Sequence, residues 1–416
     1  MRPLSLAQIL LYSAGSLGAN LVYAFANMAF PLFLAAYAVP NLLVGFLAQE
    51  RSFVGAFVQP VVGAISDRLP PNPLGRRRPF FLIGVPATAT ALVFLSTHPS
   101  IWAVVAVMTV FSFFMAVAND PYLALMADIV PSEQRGRIGG VMAVFNMAGQ
   151  IAVILLSFLL WQTHQGLLFW LIAAGMALSF TITFFGVKEP PMSPRGEEPG
   201  KERRIAVRPY LKDLLARREV MKYLGTIFFF WLGNGGIAPF LTRFGVDVLG
   251  AEENVAFLLV LPAILGSAAF AVPAGLLTER FGKKPVLSLG MLAFGSLTLV
   301  GGLLVSTVPQ AMVMMALVGL ANAVTTALIL PLLADMIPRD RIGEFTGIGA
   351  MVWSLSQTIG ALGAGAMADA TGTLRGAFAL GGLFMLGGFA ILLMVKASGP
   401  TRALSASNGE LFAGEA

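Results

Sequence analysis

Long apolar runs succeed one another along the chain, at roughly 6–36, 40–66, 79–97, 100–126, 137–161, 166–186, 219–246, 253–277, 285–305, 309–334, 342–367 and 374–396, each near the ~20 residues that carry a helix across a bilayer. The gaps between runs are short and hold most of the charge. One gap differs: VKEPPMSPRGEEPGKERRIAVRPYLKDLLARRE, rich in Pro, Glu and Arg, separates the sixth run from the seventh. The pattern predicts an all-α polytopic membrane protein of twelve transmembrane helices. Residues 1–186 are expected to form an N-terminal six-helix bundle, 187–218 a cytoplasmic central loop, 219–396 a C-terminal six-helix bundle and 397–416 a disordered tail. The first run is too long for a secretory signal peptide, and no small-residue cleavage site follows it, so it reads as a first spanning helix.

The two halves repeat. GAISDR at Gly63–Arg68 matches GLLTER at Gly275–Arg280, and GRR from Gly75 matches GKK from Gly282. ADIVPSEQRGRIGG then matches ADMIPRDRIGEFTG. Asp128, Pro131, Gly136, Gly140 and Gln150 pair with Asp335, Pro338, Gly343, Gly347 and Gln357 at one constant offset of 207 residues. Two parallel, pseudo-symmetric six-helix repeats suit a transporter whose halves rock about a central site.

Composition agrees. Of 416 residues 57% are hydrophobic and 12% charged, against about 25% charged in an ordinary soluble chain. Mean hydropathy is +0.81. The net charge of +6 suggests a basic surface against anionic lipid rather than a nucleic-acid partner, because the charges cluster at the ends of apolar runs. All but Arg51, Arg243 and Arg375 of the 27 basic residues face the cytoplasm if the N-terminus does. Both termini are therefore expected inside the cell (inner) membrane. No cysteine is present, and the two histidines, His98 and His164, fall in short gaps, so no thiolate, metal set or His-based catalytic site is expected.

The stretch GAISDRLPPNPLGRRRPF, Gly63 to Phe80, carries a recognisable motif. G-x-x-x-D-R-x-x-G-R-R between helices 2 and 3 resembles the signature loop of the major facilitator superfamily. The fuller string from Val58 to Phe80, with PYLALMADIVPSEQRG at Pro121–Gly136, resembles the sucrose-transporter-type branch of the glycoside–cation symporters and its bacterial relatives. The resemblance implies the major facilitator fold and alternating access. It also implies a charge cluster that latches the cytoplasmic side when the site faces outward, drawn from Gly63, Asp67, Arg68, Gly75, Arg76, Arg77 and Asp128, with Glu279, Arg280, Lys283 and Lys284 as the second-half counterpart. The chemistry fits: Asp67 stands where it could cap a helix, and Arg68, Arg76 and Arg77 could pair with Asp67 or Asp128. Arg78 reads as a topology anchor. Two features of plant sucrose transporters are missing. Leu123 stands where they carry an Arg in helix 4, and helix 8 has no charged pair.

Polar residues inside the runs are the candidate site, since they are costly in lipid. Helices 1, 4, 7 and 10 each carry Asn, at Asn20, Asn27, Asn119, Asn234 and Asn322, whereas 3, 6, 9 and 12 carry no Asn, Gln or charge within the span. The family implies the same division, with the first set lining the cavity and the second facing lipid. Tyr12, Ser16, Asn20, Tyr23 and Asn27 form one face of helix 1, suited either to a polyhydroxy ligand or to interhelical hydrogen bonds. Asn146 and Gln150 share a face of helix 5, and Trp231, Trp353 and Gln357 could complete the second-half wall. Three charges lie within spans: Glu50, Arg51 and Asp120. Adjacent Glu50 and Arg51 point about 100° apart and need separate partners. Arg51 and Asp120 differ in depth by roughly 12 Å, which argues against a direct bridge and leaves room for a water-linked relay.

These features point to a secondary transporter, not an enzyme, expected to be monomeric, with no cofactor beyond a coupling proton. The leading reading is proton-coupled symport of a sugar or glycoside, with Asp120, Glu50 and Arg51 as coupling candidates. The alternative is a proton-coupled drug or metabolite efflux antiporter. Helix 5, IGGVMAVFNMAGQIAVILLSFLLW, lacks the Gly-Pro signature usual in that class.

Overall fold

The computed structural model describes residues 3–68, 74–189, 217–337 and 342–396. Twelve long helical rods run through these residues: α1 Leu6–Ala35, α2 Asn41–Arg68, α3 Pro79–Leu95, α4 Ile101–Ile129, α5 Arg135–Leu160, α6 Gln165–Gly186, α7 Arg218–Asp247, α8 Glu253–Phe281, α9 Lys283–Leu304, α10 Val308–Asp335, α11 Ile342–Thr371 and α12 Leu374–Met394. Every expected run is helical. Among the described residues nine rods are long and apolar enough, on length and composition alone, to cross a membrane. Two that fall short have visible reasons: α3 has 17 residues, and α2 carries Glu50 and Arg51 in mid-helix. The side chains of Asp67 and Arg68 and the surroundings of Gly343, together with Pro338, the bulk of the central loop (190–216) and the tail (397–416), lie outside the described residues.

The repeat seen in the sequence becomes a repeat of packing. In the first half α1 packs on α5 and α6, α3 on α4 and α6, and α2 on α4. In the second, α7 packs on α11 and α12, α9 on α10 and α12, and α8 on α10. Even the irregularities correspond. α1 loosens into a π turn at Phe25–Ala29 just before Pro31, and α7 tightens into a 3₁₀ turn at Ala238–Phe240 around Pro239. Proline cannot donate to the carbonyl one turn back, so the ladder is locally re-formed at both places.

Among the described residues the halves meet at one end of the bundle and part at the other. The end carrying Leu4, which hydrogen-bonds Gln134 at the start of α5, and Lys396, which donates to Glu219 at the start of α7, is called the terminal face below. At the opposite face a single apolar core crosses the seam, with Phe30 and Phe33 from the first half and Phe240, Phe244, Phe257 and Phe378 from the second. α2 and α11 run antiparallel there at close approach. A Cβ on Gly45 would stand 2.3 Å from the Ala361 carbonyl oxygen, and one on Gly365 would stand 2.4 Å from that of Asn41. The hydroxyl of Ser354 donates to the Ser52 carbonyl at 2.7 Å farther along the same pair. Toward the terminal face the contacts between described residues thin. Among these residues, Gly63, Gly136, Gly139, Gly140, Gly275 and Gly347 have no atom within 4 Å of where a Cβ would stand.

Candidate functional site

The polar face of α1 divides by depth. Toward the terminal face it knits the first half together. Tyr12 Oη donates to the Tyr122 carbonyl (2.9 Å), Tyr122 Oη donates to the Tyr12 carbonyl (3.0 Å), and Ser16 Oγ lies 2.8 Å from Tyr122 Oη. Thr183 of α6 joins by donating to the Leu11 carbonyl at 2.9 Å. Tyr12, Ser16 and Tyr122 are buried, so this part of the stripe is an interhelical joint. One turn deeper the face changes role. Asn20 Nδ2 donates to Asn146 Oδ1 of α5 at 2.5 Å, and Gln150 Nε2 donates to Asn20 Oδ1 at 3.3 Å. These three amides are only half-buried. Deeper still, Asn27 donates to the Tyr23 carbonyl at 2.9 Å and accepts from Gln49 of α2 at 3.1 Å.

The three charges inside the spans sit on α2 and α4, with Arg51 and Asp120 beside Tyr23. Neighbours in sequence, Glu50 and Arg51 turn to different helices, as their 100° offset requires. Glu50 Oε1 accepts from Thr109 of α4 at 2.6 Å, and its other oxygen is buried with no hydrogen-bond partner. The Arg51 guanidinium lies 3.9 Å from the centre of the Tyr23 ring, a cation–π contact. Asp120 completes the group: it interacts electrostatically with Arg51 and Tyr23 and lies beside Gln59, while its Oδ2 is buried without a hydrogen-bond partner. Arg51 and Asp120 form no direct ion pair, in keeping with their difference in depth. Asn119, next to Asp120, is buried.

At the terminal face the signature loop ties the first half to itself. Gly75 has φ +90°, and a Cβ there would stand 2.6 Å from the Glu189 carboxyl carbon, so glycine is required twice over. That carboxylate accepts the backbone N–H groups of Arg76, Arg77 and Arg78 at 2.6, 2.9 and 2.9 Å. Arg76 pairs with Asp128 at 3.3 Å, and Arg77 pairs with the same oxygen and reaches Ser66 at 3.2 Å. Arg78 donates to the Phe184 carbonyl and stacks 4.3 Å from the Phe184 ring. The second half repeats the arrangement in weaker form. Gly282 has φ +86°, and Lys283, the counterpart of Arg76, meets Asp335, the counterpart of Asp128, at 2.5 Å in an exposed position. Lys284 donates to the Val395 carbonyl at 2.6 Å. Glu279 and Arg280 are exposed, the latter over the Phe281 ring. Each described pair stays within its own half.

A second polar cluster, unforeseen in the sequence, closes the opposite face. Asp369 at the end of α11 accepts from the backbone and side chain of Asn41 and from the Leu42 N–H. Arg243 of α7 donates to Asn41 Oδ1 at 2.6 Å and pairs with Asp247 at 3.0 Å. Trp161 of α5 donates to Glu253 of α8 at 2.8 Å. The basic count had flagged Arg243 as facing outward. A lone acid at the end of α11 gave no pattern from which to find Asp369.

Beneath this closure a cavity of about 370 Å³ opens among α5, α7, α8, α9, α10 and α12. Of the expected binding residues, Gln150, Asn234 and Asn322 line it. Asn322 donates to Ser267 at 3.2 Å. Asn20 and Asn146 reach it only through Gln150, and Asn27, Tyr23 and Asn119 are not on its wall. Trp231 and Trp353 stack on each other at 4.8 Å. The backbone of Gln357 presses on Gly235. The expected division of helices describes this wall only in part: α7 and α10 line it, α1 and α4 contribute no described residue, and α9 and α12 contribute Phe294, Leu297, Thr298, Gly301, Gly302, Val305, Phe378 and Met385. Counting Asn, Gln and charge could not reveal this, since an apolar residue facing a cavity looks like one facing lipid.

Comparison with known proteins agrees with this architecture. Residues 11–368 match the family described as MFS/sugar transport protein. The chain is 22% identical over 275 residues to the uncharacterised MFS-type transporter MJ1317 of Methanocaldococcus jannaschii, an alignment spanning 65% of each protein and so just under two thirds of the relative. It is 24% identical over 345 residues to the multidrug resistance protein MdtG of Salmonella arizonae, covering 81% of this chain and 78% of MdtG. The crystal structure of a D-xylose–proton symporter shares the fold with a TM-score of 0.74 at 16% identity, covering 95% and 98% of the two chains. With its two six-helix repeats and a family match over most of its length, the chain belongs to the major facilitator superfamily and is a multi-pass membrane transporter of small molecules.

Proposed function

We propose that the protein is a proton-coupled symporter of a neutral sugar or glycoside, working by alternating access in the cell (inner) membrane with its terminal face in the cytoplasm. The single observation that carries this reading is the amide set Asn20–Asn146–Gln150, which supplies neutral donors and acceptors beside the cavity while the charges of α2 and α4 stand apart from its wall. Amides matched to hydroxyls bind a polyhydroxy solute without demanding charge. The buried, unpartnered oxygen of Asp120, close to Arg51 and Tyr23, supplies an acid that can take up a proton on one side and release it on the other. Substrate bound at Asn20 and proton bound at Asp120 then favour each other through the rocking of the first half, which carries both, against the second. The orientation follows from the positive-inside rule. The open terminal face is the inward-facing half of the cycle, and the loops around Asp128 and Asp335 are the parts that would meet when it closes.

The apolar lining of the cavity favours a second reading, efflux of a hydrophobic compound in exchange for protons, and one relative is named a multidrug resistance protein. One experiment separates them. Purified protein in proteoliposomes, given a panel of labelled sugars and glycosides, should accumulate one of them when the outside is made acidic. Acid-driven export of preloaded solute, with no such uptake, replaces symport by antiport.

A further inference from the structure

We propose that the transported molecule is bipartite: a neutral hydrogen-bonding head held at Asn20, Asn146 and Gln150, and an apolar tail seated in the second-half cavity. The inference rests on the transport reading and names its substrate more closely. Two observations carry it. No charged residue, among those described, lines the cavity, and its wall is dominated by side chains such as Phe244, Ile264, Phe294, Leu297 and Met314. A free sugar there would leave most of its hydroxyls facing carbon. The second observation is Gln150. It hydrogen-bonds Asn20 at 3.3 Å and also lines the cavity, so the polar cluster and the apolar chamber share one residue as their border. A molecule lying across that border puts each of its ends where its chemistry is matched. The volume of about 370 Å³ lies at the lower end of the ~300–1,000 Å³ usual for small-molecule sites. Methionine on the wall suits tails of varied shape. An aryl or short alkyl glycoside has this form, whereas a free mono- or disaccharide does not.

The test is equilibrium binding to the protein in lipid nanodiscs, without any gradient. The probes are glucose, galactose, xylose and sucrose, the phenyl β-glycosides of the three monosaccharides, and benzyl alcohol as a tail without a sugar. At least one phenyl glycoside should bind about tenfold or more tighter than both its parent sugar and benzyl alcohol, since burying one ring is of that order. Leu297→Trp, which fills the chamber, should abolish this preference. Leu297→Ala, which enlarges it, should shift the preference toward a naphthyl glycoside. Monodispersity and melting temperature serve as the folding check for both variants. The proposal is overturned if no phenyl glycoside outbinds its parent sugar, if benzyl alcohol binds as tightly as the glycoside, or if Leu297→Trp leaves the preference intact. A preference that is present while a pH gradient drives no uptake sinks the symport reading alone. Gradient-driven uptake of a sugar with no aglycone preference sinks this inference alone.

Discussion

Asp369 caps the start of α2 through Asn41: its Oδ1 accepts both the backbone N–H and the side-chain amide of Asn41 at 2.8 Å, and its Oδ2 takes the Leu42 N–H at 2.9 Å. A carboxylate from the last turn of α11 thus satisfies donors that the first turn of α2 cannot satisfy itself. The two helices belong to different halves, so the cap is also a clasp. Asp369→Ala removes three charge-assisted bonds and should cost about 1.5–3 kcal/mol, enough to shift a two-state balance tenfold or more. The chain has no native cysteine, so spin labels at Trp102→Cys and Ser306→Cys, both on the opposite face, report the change by pulsed distance measurement. A longer, broader distance is expected, and an unchanged distribution would show that the clasp does not hold this face shut.

Asp120→Asn should separate binding from driving. The neutral amide imitates the protonated acid, so substrate exchange down a gradient should persist while accumulation against one is lost. Counterflow and pH-driven uptake in the same proteoliposomes measure the two. Accumulation by the variant would move the coupling role to Glu50, whose second oxygen is likewise buried without a partner.

The depth division of α1 predicts two different phenotypes from one stripe. Asn20→Ala removes the partner of both Asn146 and Gln150 at the cavity border and should weaken apparent substrate affinity about tenfold, with little effect on melting temperature. Tyr122→Phe deletes the hydroxyl that meets Ser16 and the Tyr12 carbonyl. It should lower stability by about 1–2 kcal/mol and leave affinity alone. Equal losses of affinity in both variants would contradict the division.

Gly75→Ala should lower the melting temperature. The residue sits at φ +90° with Glu189 against its open side, and a Cβ in left-handed backbone costs roughly 1–2 kcal/mol before any clash. Removing the carboxylate as well, in Gly75→Ala/Glu189→Ala, relieves the clash but frees three N–H groups. The double variant should be no more stable than the single one. Recovery of the wild-type melting temperature in the double variant would mean that the Glu189 contacts contribute nothing.

The twelve helices were legible because a bilayer imposes their length, and boundaries moved mainly where polar ends continue a helix past its apolar run, as α8 does to Phe281 and α11 to Thr371. The loop motif was legible because left-handed glycines and paired charges have few substitutes. Its true anchor was not. Glu189 looked like one more acid in a polar linker, and only folding brings it to Arg76 across 113 residues. Asp369 and Asn41 are 328 residues apart and share no pattern. For α1, periodicity grouped Tyr12 with Asn27 on one face but could not say that the neighbours along that face change from α4 to α5 and then to α2.

The antiparallel seam between α2 and α11 behaves like a zipper fastened over half its length. Gly45 meets Ala361, Gly365 meets Asn41 and Ser52 meets Ser354 in one continuous register. Carried on toward the terminal face, that register brings Gly63 opposite residue 343 and Gly347 opposite Gln59, and among the described residues neither glycine has an atom within 4 Å of where a Cβ would stand. An interior helical glycine costs roughly 0.5–1 kcal/mol relative to alanine, a cost that close approach of two backbones can offset. In the alternating access proposed above, α2 and α11 would close along this register at the terminal face, and Gly63 and Gly347 are the small residues that would let the two rods approach there.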